Sequence, residues 1–151
     1  MMKKNLCLFL LTLFMCGGSA MAGNRLARDG YVGNISLSVT PQMGLGVDVT
    51  TSHGYSFGNG LWMGAGAGVS FAGNFDGCFI PIYTEVNYSF MKDQKASPFL
   101  DCKFGIMTNT ESTYTMFSPS VGVDINRFSI FSLYNMWSHV RTFNIGVAFN
   151  F

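Results

Sequence analysis

The chain has 151 residues, room for one domain, and its nine Lys/Arg against eight Asp/Glu give a formal net charge of +1. That balance offers no basic face for nucleic acid. Charged residues make up only 11% of the chain while hydrophobics reach 48% and aromatics 15%, far short of the ~25% charge with which soluble domains cover their surface.

The first element is a targeting segment. Lys3 and Lys4 precede an apolar run from Leu6 to Met15, and Ala20-Met21-Ala22 fits a small-x-small cleavage site. Residues 1–22 therefore read as a signal peptide, and 23–29 as a short lead-in. The rival reading, a membrane anchor, needs roughly 20 apolar residues. A lipoprotein signal at Cys16 would want small residues where Phe14 and Met15 stand. Without Lys3 and Lys4 the remaining charge is about −1. Two cysteines, Cys78 and Cys102, remain in a chain read as exported, where disulfides are permitted.

From Gly30 onward the hydrophobic period is two, the signature of strands. Tyr31, Gly33, Ile35, Leu37 and Val39 alternate with Asn34, Ser36, Ser38 and Thr40. The second run sets Val47, Val49, Thr51, His53, Tyr55 and Phe57 against Asp48, Thr50, Ser52 and Ser56. The third sets Leu61, Met63, Ala65, Ala67, Val69 and Phe71 against Trp62 and alternate glycines. The fourth sets Ile80, Ile82, Thr84, Val86, Tyr88 and Phe90 against Pro81, Tyr83, Glu85, Asn87 and Ser89. The fifth and sixth continue with Leu100, Cys102, Phe104, Ile106 and then Phe117, Val121, Val123, Ile125 as the apolar sets. In the seventh, RFSIFSLYNM, the phase slips between Ile130 and Phe131, which predicts a bulge or a shifted register. The eighth, TFNIGVAFNF, alternates perfectly up to Phe151. Gly, Asn, Asp and Pro clusters separate the runs. The prediction is eight antiparallel strands, all-β, over 30–151, with no helix.

Alternation alone does not tell a soluble barrel from a membrane barrel. Three features favour the membrane. The apolar set is bulky, whereas the Gly, Ser, Thr, Asn and Asp set fits the narrow interior of eight strands. The polar set has too few charges for a water-facing surface. Tyr31, Tyr55, Phe57, Phe71, Tyr88, Phe90 and Phe128 fall near strand ends, as interfacial aromatics do. A closed barrel is also the only sheet that satisfies its backbone in lipid.

With these residues in view, the chain from Gly30 to Phe151 resembles the small outer-membrane β-barrel proteins of Gram-negative bacteria. The signal-like segment, the eight runs, HGYSFGNGLWMGAGAGVSF, IPIYTEVNYSF and the terminal Phe carry the likeness. It implies an eight-stranded up-and-down transmembrane barrel exported to the outer membrane, with lipid as its surroundings and both termini on one side. It also implies that Phe149 and Phe151 form the signal read by the barrel-assembly machinery. It does not specify a role, because the class holds structural barrels, adhesion factors and lipid-modifying enzymes.

Polar residues of adjacent strands converge on one region. Turning the chain near 92–95 sets Glu85 near Asp101 and Lys103, with Asp48 and Asp124 completing the expected polar cluster of the lumen. A charge inside a narrow barrel must be paired, so this reads as an interior ion-pair plug, against the alternative of a gate or proton path. Cys102 falls opposite residue 85, more than about 20 Å from Cys78 along the strand, which predicts two free thiols because a disulfide needs Cα atoms within ~7 Å.

Other motifs dissolve on inspection. The alternating glycines at 64, 66 and 68 have no phosphate-loop context; they make room for Trp62 and Tyr83. Ser89-Phe90-Met91-Lys92 matches S-x-x-K only formally, at a strand end. His53 and His139 invite comparison with lipid A deacylase barrels, but that enzyme's His-x-Ser-Asn pattern is absent. The expectation is no catalytic residue, no metal, no cofactor and a monomer. Its role would be structural, or surface contact through loops 72–77, 108–113 and 137–141. The alternatives are a lipid-modifying barrel enzyme using His139, a small-solute porin-like channel, and a secreted soluble barrel with an apolar ligand.

Overall fold

The computed structural model describes residues 29–42, 45–72, 77–91 and 93–151. The expected signal peptide, the expected lead-in up to residue 28 and residues 73–76 of the expected contact loop lie outside the described residues.

Eight strands follow one another: β1 (Asp29–Thr40), β2 (Gly46–Phe57), β3 (Leu61–Ala72), β4 (Gly77–Ser89), β5 (Ala96–Thr108), β6 (Thr113–Ile125), β7 (Phe128–Trp137) and β8 (Val140–Asn150). Each pairs antiparallel with its neighbours in sequence, and β8 returns to β1, closing the sheet into a barrel. Closure leaves no strand with an open edge. β1 begins at Asp29, one residue before the expected boundary.

The turns are short. Among the described residues, 58–60, 90–91, 93–95 and 126–127 lie at the rim where β1 begins and β8 ends, here the terminal rim; 41–42, 45, 109–112 and 138–139 lie at the far rim. Their chemistry is local. Gly60 has φ +94, and a Cβ there would meet the Ser89 carbonyl oxygen at 2.5 Å; its own carbonyl instead accepts from the Ser89 amide at 2.8 Å, tying two turns together. Asn126 takes φ 57 in a two-residue turn, a conformation Asn tolerates. Asn109 Oδ1 accepts from the amides of Glu111 and Ser112.

Burial is inverted relative to a soluble protein. Ser36, Ser52, Asn87, Ser118, Asp124 and Asn144 are buried within the barrel, while Ile35, Leu37, Ile82, Leu100, Ile130, Ile145 and Val147 are exposed on its outside. The pleat makes this possible, since successive side chains point to opposite faces. An apolar exterior around a polar interior is what a hydrocarbon surrounding demands.

The seventh strand departs from the sequence expectation. There is no bulge: β6 and β7 pair without slippage from Phe117–Met136 to Ile125–Phe128, and β7–β8 pairing is regular throughout. The alternation never breaks. Ser129, Phe131, Leu133 and Asn135 all face inward, so two large apolar side chains occupy the lumen. The apparent slip came from assuming that apolar means outward.

Candidate functional site

The lumen is built from inward residues of all eight strands, in levels. At mid-height β4 and β5 place Glu85 directly opposite Lys103. Lys103 Nζ lies 4.0 Å from Glu85 Oε2, and both residues are buried, 8% and 4% exposed. Ser52 on β2 donates to the same carboxylate oxygen at 2.5 Å and shares a 3.0 Å hydrogen bond with the Tyr83 hydroxyl. The ammonium also sits 4.9 Å from the Tyr83 ring centroid and 5.9 Å from that of Phe131, within reach of cation–π attraction. Asp101 accepts from Ser120 Oγ at 3.0 Å.

The expected five-residue cluster is therefore three separate groups. Glu85, Asp101 and Lys103 share the middle level. Asp48 lies toward the far rim, where its carboxylate accepts from Ser38 at 3.1 Å, from Asn144 at 2.6 Å and from Ser70. Asp124 lies toward the terminal rim, where Ser129 donates to it at 2.5 Å and Asn150 donates to Ser129 at 2.8 Å. The separation follows from register: Asp101 pairs with Ser120, four residues or about 13 Å from Asp124 along β6.

Large side chains partition the space between these groups. Toward the terminal rim Trp62 is fully buried and donates from Nε1 to the Val32 carbonyl at 3.2 Å. Toward the far rim Tyr83, Met107 and Met116 pack together, with Phe79 and Trp137 against them. Phe99, Phe131, Leu133 and Ala148 form a third group. Among the described residues the space between them includes two small chambers. One, of about 20 Å³, is bordered by Asn34, Glu85, Asn87, Asp101, Lys103 and Ser120. The other, of about 30 Å³, is bordered by Asp48, Tyr83, Met107, Met116 and Leu133. Lys103 and Phe131 border both. Each chamber has room for one or two water molecules.

Phe131, Leu133, Met107 and Met116 were not foreseen in the lumen. A usable signal existed in the register. Phe131 is flanked by Gly122 on β6 and Gly146 on β8. Tyr83 is flanked by Gly66 on β3 and Gly105 on β5. Each ring lies over glycines that leave it space: a Cβ on Gly146 would come within 2.5 Å of the Phe131 ring, and one on Gly66 within 2.6 Å of the Tyr83 ring.

The aromatics expected at the interface fall mostly at one end. Tyr31, Tyr55, Phe57, Tyr88, Phe90 and Phe128 are exposed around the terminal rim, and Phe71 stands at the far rim. They pair edge-on or tilted: Tyr55 with Phe57, Tyr88 with Phe90, and Phe128 with Phe149, at 5.3–5.4 Å between centroids. Phe104, Phe117, Tyr134 and Phe143 supply outward rings in the other half.

Phe151 adjoins β1 through paired hydrogen bonds with Gly33, N to O in both directions at 2.9 Å. Its ring fills the space that a side chain at Gly33 would take, 2.6 Å from an added Cβ, and stands edge-on to His53 at 6.0 Å. His53 is hydrogen-bonded through Nδ1 to the Tyr31 hydroxyl and through Nε2 to Thr51 at 3.2 Å. His139 is exposed in the turn between β7 and β8 at the far rim, roughly 40 Å from Phe151 along β8. The two histidines belong to opposite ends of the barrel. Cys102 pairs with Val86, one position from the expected partner, and both Cys78 and Cys102 are free thiols. Among the described residues no group of three His, Cys, Asp or Glu side chains is placed to hold a metal ion.

No protein-family profile matches the chain, and no curated protein matches it in sequence. Solved structures do match in fold. The N-terminal β-barrel domain of Pseudomonas aeruginosa OprF superposes with a TM-score of 0.55 at 13% identity, covering 87% of this chain and 100% of that one. A de novo designed transmembrane β-barrel gives 0.53 at 13% identity, covering 80% and 94%. The Yersinia pestis outer membrane protein Ail, in a phospholipid bilayer nanodisc, gives 0.50 at 13% identity, covering 82% and 100%. The chain is similar to these three in being an eight-stranded transmembrane-type barrel.

Proposed function

We propose that this chain is an outer-membrane β-barrel with a filled lumen, serving a structural or surface-contact role rather than forming a wide pore. The observation that carries the reading is the inverted partition of side chains: a continuous apolar exterior around a hydrogen-bonded polar interior. The signal-like segment at residues 1–22 supports export, and the fold likeness to Ail and to the OprF barrel domain supports the outer membrane as destination. Phe149 and Phe151 would serve as the assembly signal, and the closed barrel would stand as a monomer in lipid.

The chambers of about 20 and 30 Å³, divided at Lys103 and Phe131, support a barrier rather than a porin-like channel. Surface contact would fall to the far-rim turns. The reading includes no catalysis: the two histidines lie at opposite rims, and His53 is engaged by Tyr31 and Thr51.

Membrane fractionation followed by gel mobility of the detergent-extracted protein with and without boiling tests place and architecture together. The expected result is outer-membrane recovery, faster migration unboiled, and no discrete conductance steps in planar bilayers. Recovery in a soluble fraction without detergent would sink the proposal. Altered lipid A in a deletion strain would instead favour a lipid-modifying enzyme.

A further inference from the structure

We propose that the mid-lumen chamber is a binding site for a resident water molecule, held between the side-chain amide of Asn87 and the carboxylates of Glu85 and Asp101. The inference requires the barrel, and not its location in a particular membrane.

The first observation is an amide that the protein itself does not satisfy. Asn87 is 1% exposed, and among the described residues neither its Oδ1 nor its Nδ2 has a hydrogen-bond partner. The side chain offers one acceptor oxygen and two N–H donors. Leaving such groups unbonded in an interior costs free energy, and buried polar side-chain atoms are mostly bonded, to protein or to ordered water.

The second observation is space with the right lining. Asn87 borders the chamber of about 20 Å³, and a buried water needs roughly 10–15 Å³ together with two to four polar partners. The register supplies those partners. Asp101 stands directly opposite Asn87 on β5, and Glu85 lies two residues away on the same inward face of β4. Both border the chamber, as does Asn34. A carboxylate can accept about four hydrogen bonds, so the bonds from Ser52 to Glu85 and from Ser120 to Asp101 are compatible with a further one from water.

Donor and acceptor types select the occupant. The amide does not hydrogen-bond either carboxylate directly. Water accepts from the Asn87 NH2 and donates to a carboxylate, so one molecule serves both. A ligand that only donates or only accepts would serve one side, and an apolar one neither.

The test uses the full barrel in detergent micelles, with water itself as the probe. In 15N-labelled protein the Asn87 NH2 signals are assigned by their loss in a variant. The expected result is a cross-relaxation peak between those protons and water, with the sign of a long-lived contact. Water 17O relaxation dispersion then counts long-lived waters without a contribution from exchanging hydroxyl or ammonium protons. Asn87→Leu carries no polar atom and puts methyl groups toward the chamber, so it should lose the amplitude of one water. Asn87→Ser keeps a hydroxyl and frees volume, so it should retain at least the wild-type amplitude, and it assigns the NH2 signals if Asn87→Leu does not fold. Absence of the cross peak in the wild type would overturn the proposal and leave the amide dry or turned onto a wall carboxylate. So would a full wild-type amplitude in folded Asn87→Leu, or an amplitude in Asn87→Ser below that of the wild type.

Discussion

Asn144 on β8 donates to the carboxylate of Asp48 on β2 at 2.6 Å, reaching across β1 inside the barrel. The link matters because β1–β8 is the closing ladder and the shortest, paired from Asn34–Asn150 to Val39–Ile145. Asp48 also receives Ser38 from β1 and Ser70 from β3, so one carboxylate holds four strands around the seam. Asn144→Ala should lower unfolding free energy by about 2 kcal/mol, the range for a hydrogen bond to a charged group. Urea unfolding in detergent, followed by tryptophan fluorescence, checks this. An unchanged midpoint would show that the link carries no weight.

Lys103 gives a sharper test of the interior. Removing one member of a buried pair leaves the other charge uncompensated and costs about 3–5 kcal/mol. Lys103→Met should therefore destabilise the barrel strongly. The double variant Lys103→Met/Glu85→Gln should recover a large part of that loss. If Lys103→Met folds and melts as the wild type does, the Glu85–Lys103 pairing is refuted.

These features were unequally legible in the sequence. Strand number, and the outward and inward sets of β1 to β6 and β8, follow from a period of two that is rarely interrupted. Glu85 and Lys103 could be brought together because a short hairpin leaves little freedom of register. Their setting could not. The levels that separate Asp48, Asp101 and Asp124 depend on the stagger between strands, which accumulates around the barrel and is invisible in any one strand. β7 was misread for another reason. Phe131 and Leu133 are apolar and inward, and only the glycines on the flanking strands, Gly122 and Gly146, say why. Within one strand such a ring looks like an error of phase; across three strands it fits a notch.

The glycine notches differ in what bounds them. A Cβ at Gly105 would meet the Ile82 carbonyl oxygen at 2.1 Å and the Tyr83 Cα at 2.6 Å, both backbone atoms. At Gly146 the nearest atom is the tip of the Phe131 ring at 2.5 Å, which can move more easily than a strand, and the Leu37 carbonyl oxygen follows at 2.7 Å. Overpacking in close-packed interiors costs about 1–3 kcal/mol. Gly105→Ala should reach or exceed the top of that range, and Gly146→Ala should cost less. Adding Phe131→Leu should relieve part of the Gly146→Ala cost and leave Gly105→Ala unrelieved. Unfolding midpoints of the five proteins decide it, and equal costs at the two glycines would contradict the distinction.

Outside the barrel the same seam is held by Phe151. Its backbone pairs with Gly33, and its ring lies where Gly33 has no side chain, beside His53. The contact has two faces that mutation can separate. Phe151→Ala removes the ring and keeps the backbone pair. Gly33→Val keeps the ring and displaces it. If the ring steadies closure, both should lower the folded fraction on refolding into detergent micelles, and Phe151→Tyr should not. A large-to-small change at a partly buried ring is expected to cost less than the ~3–5 kcal/mol of a fully buried Phe→Ala. The unboiled, faster-migrating band measures that fraction without any assembly machinery. A normal yield for Phe151→Ala in micelles, with a defect only in cells, would assign the ring to recognition during assembly rather than to the fold.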